Sequence, residues 1–237
     1  MSKFNEIKHQ VYECNMELPR QGLVIYTFGN VSAVDRSEGI IAIKPSGVSY
    51  DVLKPEDIVI VDLSGKIIEG DMNPSSDTKT HLVLYNHFPD IGGVAHTHST
   101  YAVSWAQAAK PIPILGTTHA DHLHVNIPCT DFMSKEMIMG DYEIETGNQI
   151  IATFKTVSYS EVEMVLVAGH GPFTWGKTPE KAVYNSVVLE NLAEMALLTL
   201  QINPKVSNLD EALVQKHYQR KHGSNAYYGQ VVKQKNK

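Results

Sequence analysis

Short runs of valine and isoleucine, each closed by a turn residue, crowd the first third of the chain and demand a sheet. VIYTF, IIAIK and DIVIVDL follow one another between Leu23 and Leu63, cut by Gly29, the Pro45–Ser46–Gly47 turn and Pro55. β-Branched runs between glycine and proline read as strands. Ser64–Gly65, between IVIVDL and KIIEG, predicts a tight hairpin. Further on, IGGVAHTHS reads as a strand ending at Ser99, and MVLVAGH as a buried one. Against these stand stretches of helical period. Phe4, Ile7, Val11, Cys14 and Leu18 alternate spacings of three and four, the stripe of a helix that Pro19 is expected to end. TKTHLVLYNHF, YAVSWAQAAK and TGNQIIATF are predicted helices. So is TPEKAVYNSVVLENLAEMALLTL, with Thr178 as cap and Pro179 in its first position, and a last helix lies near LDEALVQKHYQRKHG. Strands and helices alternate unevenly, with no repeat and no Pro/Ser-rich linker. One α/β domain over residues 1–237 is the expectation.

Histidines stand at the ends of two of those strands. In an extended strand, residues two apart share a face, so His96 and His98 of His96–Thr97–His98 can reach one ion. His170 follows MVLVAG, with Gly171 and Pro172 expected to turn the chain sharply just after it. Asp77, beside a helix start, could add a carboxylate. Three imidazoles and an oxygen suit a divalent, zinc-like ion. Each residue also has a plainer reading: most of the eleven histidines belong on the surface or in hydrogen-bonded core positions, and Asp77 in PSSDT would serve as a helix N-cap.

Three small-residue turns offer backbone N–H groups and hydroxyls to an anion: Gly29–Asn30, Ser46–Gly47 and Ser75–Ser76. Taken together they could hold a phosphate, with Lys44 supplying charge; taken singly each is ordinary turn or cap chemistry, and a lone lysine is usually solvated.

Composition narrows the partners. A net charge of −6 and no continuous basic face argue against nucleic acid. No stretch approaches the roughly 20 apolar residues of a membrane span, and the start lacks a secretory pattern, which predicts a cytoplasmic protein. Cys14 and Cys129 form no CxxC pair and read as buried side chains. No HExxH signature and no nucleotide-binding glycine fingerprint occur, which ranks hydrolytic and redox metalloenzymes low.

Taken as a set, TFGNVSAVDR, IKPSGV, PSSDTKTH, GGVAHTHS, GTTHADH, NIPCT, YEIETGN, HGPFTWGK and KHYQRKHGSNAYYGQ resemble, in order, the class II aldolase and adducin-head family. GTTHAD with the tail AYYGQ resembles its pentulose-phosphate epimerase branch. The resemblance implies a three-layer α/β/α domain around a largely antiparallel sheet. It implies one zinc per subunit on Asp77, His96, His98 and His170, and substrate contacts, mainly to phosphate, from Gly29, Asn30, Ser46, Gly47, Ser75 and Ser76. Asp121 and Tyr228 are implied as the acid/base pair, brought from a neighbouring subunit of a homotetramer, with the tail from about 223 to 237 completing the site. Without that resemblance, Asp121 is a loop carboxylate and Tyr228 a packing residue near a chain end. The implied activity is epimerisation of L-ribulose 5-phosphate to D-xylulose 5-phosphate at C4, by retro-aldol cleavage and re-addition of glycolaldehyde phosphate. The alternatives are an aldolase acting on a deoxyketose 1-phosphate such as L-fuculose 1-phosphate, a related pentulose-phosphate epimerase, and a non-catalytic adducin-head-like module.

Overall fold

The computed structural model describes residues 2–223 and 226. Its strands are β1 (Asn30–Asp35), β2 (Ile40–Ile43), β3 (Val59–Asp62), β4 (Ile67–Glu69), β5 (Gly93–His96), β6 (Met164–Val167) and β7 (Gly171–Gly176). Its α-helices are α1 (Asn5–Arg20), α2 (Thr78–His87), α3 (Thr100–Gln107), α4 (Thr117–Ala120), α5 (Lys135–Met139), α6 (Tyr142–Thr153), α7 (Pro179–Ile202) and α8 (Glu211–His222). The strands form one sheet in the order β4-β3-β2-β1-β5-β7-β6, antiparallel at every step.

Successive side chains of a strand leave on opposite faces, and here both faces are covered. Val31 of β1 and Ala95 of β5 pack with Cys14 and Leu18 of α1 and with Ala182 and Val183 of α7. Val94 of β5 and Phe173 and Trp175 of β7 instead join Leu84 and Tyr85 of α2 and Ile150 of α6. This is a single domain of helix, sheet and helix layers, as the family resemblance implies. All four residues of β2 are buried, and fully burying such side chains stabilises the sheet by roughly 1.5–3 kcal/mol each. Thr178 caps α7 by accepting the Lys181 N–H, with Pro179 at the first position. Among the described residues no helix is long and apolar enough to cross a membrane. Both cysteines are unpaired thiols, Cys14 buried and Cys129 partly so.

Four local expectations are corrected. VIYTF is not a strand: Ile25 and Tyr26 are 62% and 79% exposed, Tyr26 has φ 54°, and pairing begins only at Asn30, opposite His96. A β-branched run forms a strand only where a neighbour takes its hydrogen bonds. Gly171 and Pro172 do not turn the chain: GPFTWG is β7, and the turn is 168–170, with Gly169 at φ +73° and His170 as its last residue. Pro19 lies inside the last turn of α1, which ends one residue later at Arg20 with Gln21 as its C-cap. The segment containing GTTHAD carries the single turn of helix α4 where loop was expected.

Candidate metal centre and anion cradle

β5 delivers His96 as its last residue, with His98 two further on. The register His96↔Phe173 sets the start of β7 beside the end of β5, and the preceding turn presents His170. The ring centroids lie 4.8 Å (His96–His98), 4.7 Å (His96–His170) and 5.3 Å (His98–His170) apart. One ring nitrogen from each lies within 4.8 Å of the others, and the Nε2 atoms of His96 and His98 are 3.0 Å apart. The His96 Nδ1–H donates to the Pro172 carbonyl at 2.9 Å, which fixes the tautomer and leaves the Nε2 lone pair facing the cluster. Phe173 stacks on the same ring at 4.2 Å. Burial, reinforced by His96 and His98 and opposed by Asp77, pushes His170 down to about 3. Burial and His96 also lower His98. Neutral imidazoles are what a cation requires as ligands.

Asp77 occupies the N-cap position of α2, yet its side chain makes no capping bond. Instead the carboxylate accepts the Asn30 amide N–H at 2.6 Å. Burial raises its pKa, but His96, His81 and the Asn30 hydrogen bond outweigh that and hold it below the usual carboxylate range. A partly buried anion beside bare imidazole nitrogens, with no lysine or arginine partner among the described salt bridges, is a set of donors short of a cation. The ligand atoms that come together are those of His96, His98 and His170, three nitrogens that fit a divalent ion with the tautomer of one fixed from behind, while Asp77, expected as a fourth ligand, stands outside that group and only borders it on the same cavity.

One cavity of about 420 Å³ opens onto this cluster, and Gly29, Asn30, Lys44, Ser46, Gly47, Ser75 and Ser76 line it together with Asp77, His96, His98 and His170. Pro45 and Pro74 form a bridge, and the Ser75 N–H donates to the Lys44 carbonyl at 3.0 Å, so the two serine loops are stitched side by side. Gly29 has no substitute: φ is +73°, and a Cβ would fall 2.7 Å from Val24 Cγ1 and 2.8 Å from the His96 carbonyl. Lys44 is only 1% exposed. Its Nζ reaches two carbonyls at 3.4 and 3.5 Å and lies 4.8 Å over the Tyr50 ring. Burial lowers it to about 8. The plain reading of a solvated lysine is thereby excluded.

Asp121 is placed elsewhere. It ends α4 and faces α8, where it accepts His217 Nδ1–H at 2.9 Å and Arg220 Nε–H and Nη2–H at 3.0 and 2.7 Å, with Lys221 Nζ at 3.6 Å. Burial raises it, but the Arg220 and His217 hydrogen bonds and Lys221 bring it down to about 2. It does not line the cavity of its own chain. Tyr228 lies outside the described residues. Five cavity-lining residues were not among the sequence candidates: Thr27, Phe28, Pro45, Tyr142 and Glu143. The Tyr142 hydroxyl is 3.3 Å from His170 Nδ1. YEIETGN is among the family-like motifs, but helical period gives no sign that its first residues face a site.

A three-histidine cluster thus shares one cavity with a buried lysine and several small-residue turns. The chain belongs to the class II aldolase and adducin N-terminal domain family, whose sequence model matches residues 9–197. Among solved structures it resembles an L-fuculose 1-phosphate aldolase (TM-score 0.76, 23% identity, 93% of this chain and 97% of the other). It also resembles the L-fuculose 1-phosphate aldolase of Glaciozyma antarctica (0.74, 16%, 91% and 81%) and that of Thermus thermophilus (0.65, 23%, 84% and 97%). At these identities the likeness establishes the fold.

Proposed function

We propose that this chain is a cytoplasmic, zinc-dependent sugar-phosphate epimerase that inverts C4 of L-ribulose 5-phosphate to give D-xylulose 5-phosphate. The observation that carries the reading is the convergence, in one cavity, of a cation-deficient His96–His98–His170–Asp77 cluster with the Lys44 anion cradle. The hydrogen on C4 is not acidic, because the ketone at C2 acidifies only its neighbours. Inversion by simple deprotonation is therefore unfavourable, and cleavage of C3–C4 followed by re-addition to the other face of the aldehyde is the route open to it. His96, His98 and His170, with Asp77 as a fourth ligand, would hold a divalent ion, which would supply Lewis acidity for negative charge on the ketose half.

This chain's own residues do the rest. Lys44, the Ser75 and Ser76 hydroxyls and the backbone at Gly29 and Gly47 hold the phosphate, so that the aldehyde half rotates without escaping. Escape would make the protein an aldolase. Asp121 and Tyr228 move the C4 hydroxyl proton, one for each epimer, because that hydroxyl points to opposite sides in the two sugars. Since Asp121 does not line its own chain's cavity, the reading assigns the pair to a neighbouring copy in a homotetramer. The exposed Ile25 and Tyr26, next to cavity-lining Phe28, offer that copy an apolar edge. A carboxylate tied to His217, Arg220 and Lys221 is a poor proton acceptor, so docking has to reorganise the contacts around Asp121.

The test is to incubate the purified protein separately with L-ribulose 5-phosphate, D-xylulose 5-phosphate and L-fuculose 1-phosphate, with and without a chelator. Chelator-sensitive interconversion of the two pentuloses supports the proposal. Accumulating free aldehyde from the ketose 1-phosphate, with the pentuloses untouched, replaces it by the aldolase reading.

A further inference from the structure

Tyr50 does not line the cavity, yet it touches two of its walls. Its ring is buried, 5% exposed, in the apolar layer where α1 meets the sheet, with Leu18, Val24 and Val31. One face of that ring lies beneath Lys44 Nζ at 4.8 Å. Its hydroxyl is 3.0 Å from both the Phe28 and the Gly29 carbonyl oxygens. Phe28, Gly29 and Lys44 all line the cavity.

Residues 25–29 have no strand partner, so their backbone acceptors need donors from elsewhere. Two side chains supply them. Lys44 Nζ donates to the Thr27 carbonyl at 3.4 Å, and the single Tyr50 hydroxyl proton lies between the next two carbonyls. Burial raises the phenol pKa, so that proton stays in place while Lys44 titrates. Tyr50 thereby braces the turn in which Gly29 adopts φ +73°.

The ring meets a second need. The two carbonyl contacts of Lys44, at 3.4 and 3.5 Å, are long for hydrogen bonds. No carboxylate pairs with it among the described ion pairs, neither Asp77 nor Glu143 of the same cavity included. Burial lowers it to about 8, and Tyr50 is the group that opposes this. The negative face of an aromatic ring attracts an ammonium within about 6 Å of its centroid. It does so without a counter-charge, so the positive charge remains for an incoming anion, where a carboxylate would have neutralised it.

We propose that Tyr50 is the positioning residue of the anion cradle: its ring face stations the Lys44 ammonium, and its hydroxyl ties the Phe28–Gly29 turn to the same anchor. The inference rests on the reading of that cavity as a phosphate site and needs no metal.

Two measurements on the full-length protein test it. One is the titration midpoint of Lys44, followed by NMR with isotopically labelled lysine and identified by its loss in Lys44→Met. The other is the affinity for inorganic phosphate near pH 7. Tyr50→Phe keeps the ring and removes the tie, so it should leave the midpoint unmoved and weaken phosphate roughly 2- to 10-fold. Tyr50→Leu removes both and should also lower the midpoint by roughly 0.5–1.5 pH units. With Lys44→Met already in place, Tyr50→Leu should cost no more phosphate affinity than Tyr50→Phe does, because the charge it stations is gone. A folded Tyr50→Leu protein with the wild-type midpoint overturns the proposal, as does a midpoint lowered equally by Tyr50→Phe, which marks general loosening. If Tyr50→Leu does not fold, a fluorinated phenylalanine at position 50, close in shape but with its π charge withdrawn, takes its place. A midpoint below that of Tyr50→Phe then supports the ring's role, and an equal midpoint refutes it. Phosphate affinity unchanged in Tyr50→Phe refutes the role of the hydroxyl. Wild-type protein that binds no phosphate, or binds it indifferently to Lys44→Met, defeats the phosphate reading and this inference with it. Binding that Lys44→Met weakens and the Tyr50 variants leave intact defeats this inference alone.

Discussion

Asp77 and Asp121 are both held below the usual carboxylate range, yet their surroundings are opposite. Asp77 faces imidazoles and one amide. Asp121 has two cationic side chains and an imidazole N–H closed around it, and it ties α8 to α4. The first group of charges is incomplete and calls for a cation; the second is already neutralised within the chain. The contrast separates a histidine cluster gathered within one chain from a carboxylate to which the proposal gives a catalytic role only beside another copy.

The comparison is broken most severely from the Asp77 side. His96→Asn should abolish bound metal and reduce turnover on the order of a thousandfold or more, the several kcal/mol of charge stabilisation at stake. Metal analysis beside turnover checks it, and a folded variant retaining both would make the cluster structural. On the other side, Tyr228→Phe and Asp121→Asn should keep stoichiometric metal and lose roughly 100- to 10,000-fold in turnover. Wild-type rates in either remove that residue from the acid/base role.

Smaller effects sharpen the boundary of the first region. Lys44→Met should raise KM roughly 10- to 100-fold, as expected for a lost charged hydrogen bond. The pH dependence has a definite sign. Burial lowers Lys44 to about 8, so the ammonium is present below that value and fades above it, and KM should climb as pH rises through it. Stability of the ligand-free protein should run the other way, because the buried ammonium opposes folding most while charged. A KM that stays flat from pH 7 to well above 8 contradicts the cradle. Gly29→Ala should cost roughly 1–3 kcal/mol in stability from overpacking against Val24 and the His96 carbonyl, measured by denaturant unfolding.

The gathering of the three histidines and of the small-residue turns around one cavity was legible because those positions sit at punctuation in the text. HTH closes an apolar run, GN opens β1, SG follows β2 and SS precedes α2, where backbone geometry alone narrows the possibilities. The β2, β3 and β4 strands and α7 were legible through composition and caps. β7 was not, since GPFTWG carries glycine and proline at sites where burial on both faces and pairing with β5 and β6 decide the conformation. VIYTF failed for the converse reason, having strand composition and no partner. Nor did the spacing of His217, Arg220 and Lys221 announce the clamp on Asp121, because that contact spans α4 and α8 and depends on packing between them.

The central claim is that imidazoles from two separated segments share one divalent ion. Zinc-edge X-ray absorption of the purified, zinc-loaded protein tests it most directly. The account expects one zinc per chain with three imidazole nitrogens and an oxygen at about 2.0–2.2 Å. Zinc bound in less than stoichiometric amount, or with fewer than three imidazoles in its shell, would contradict it.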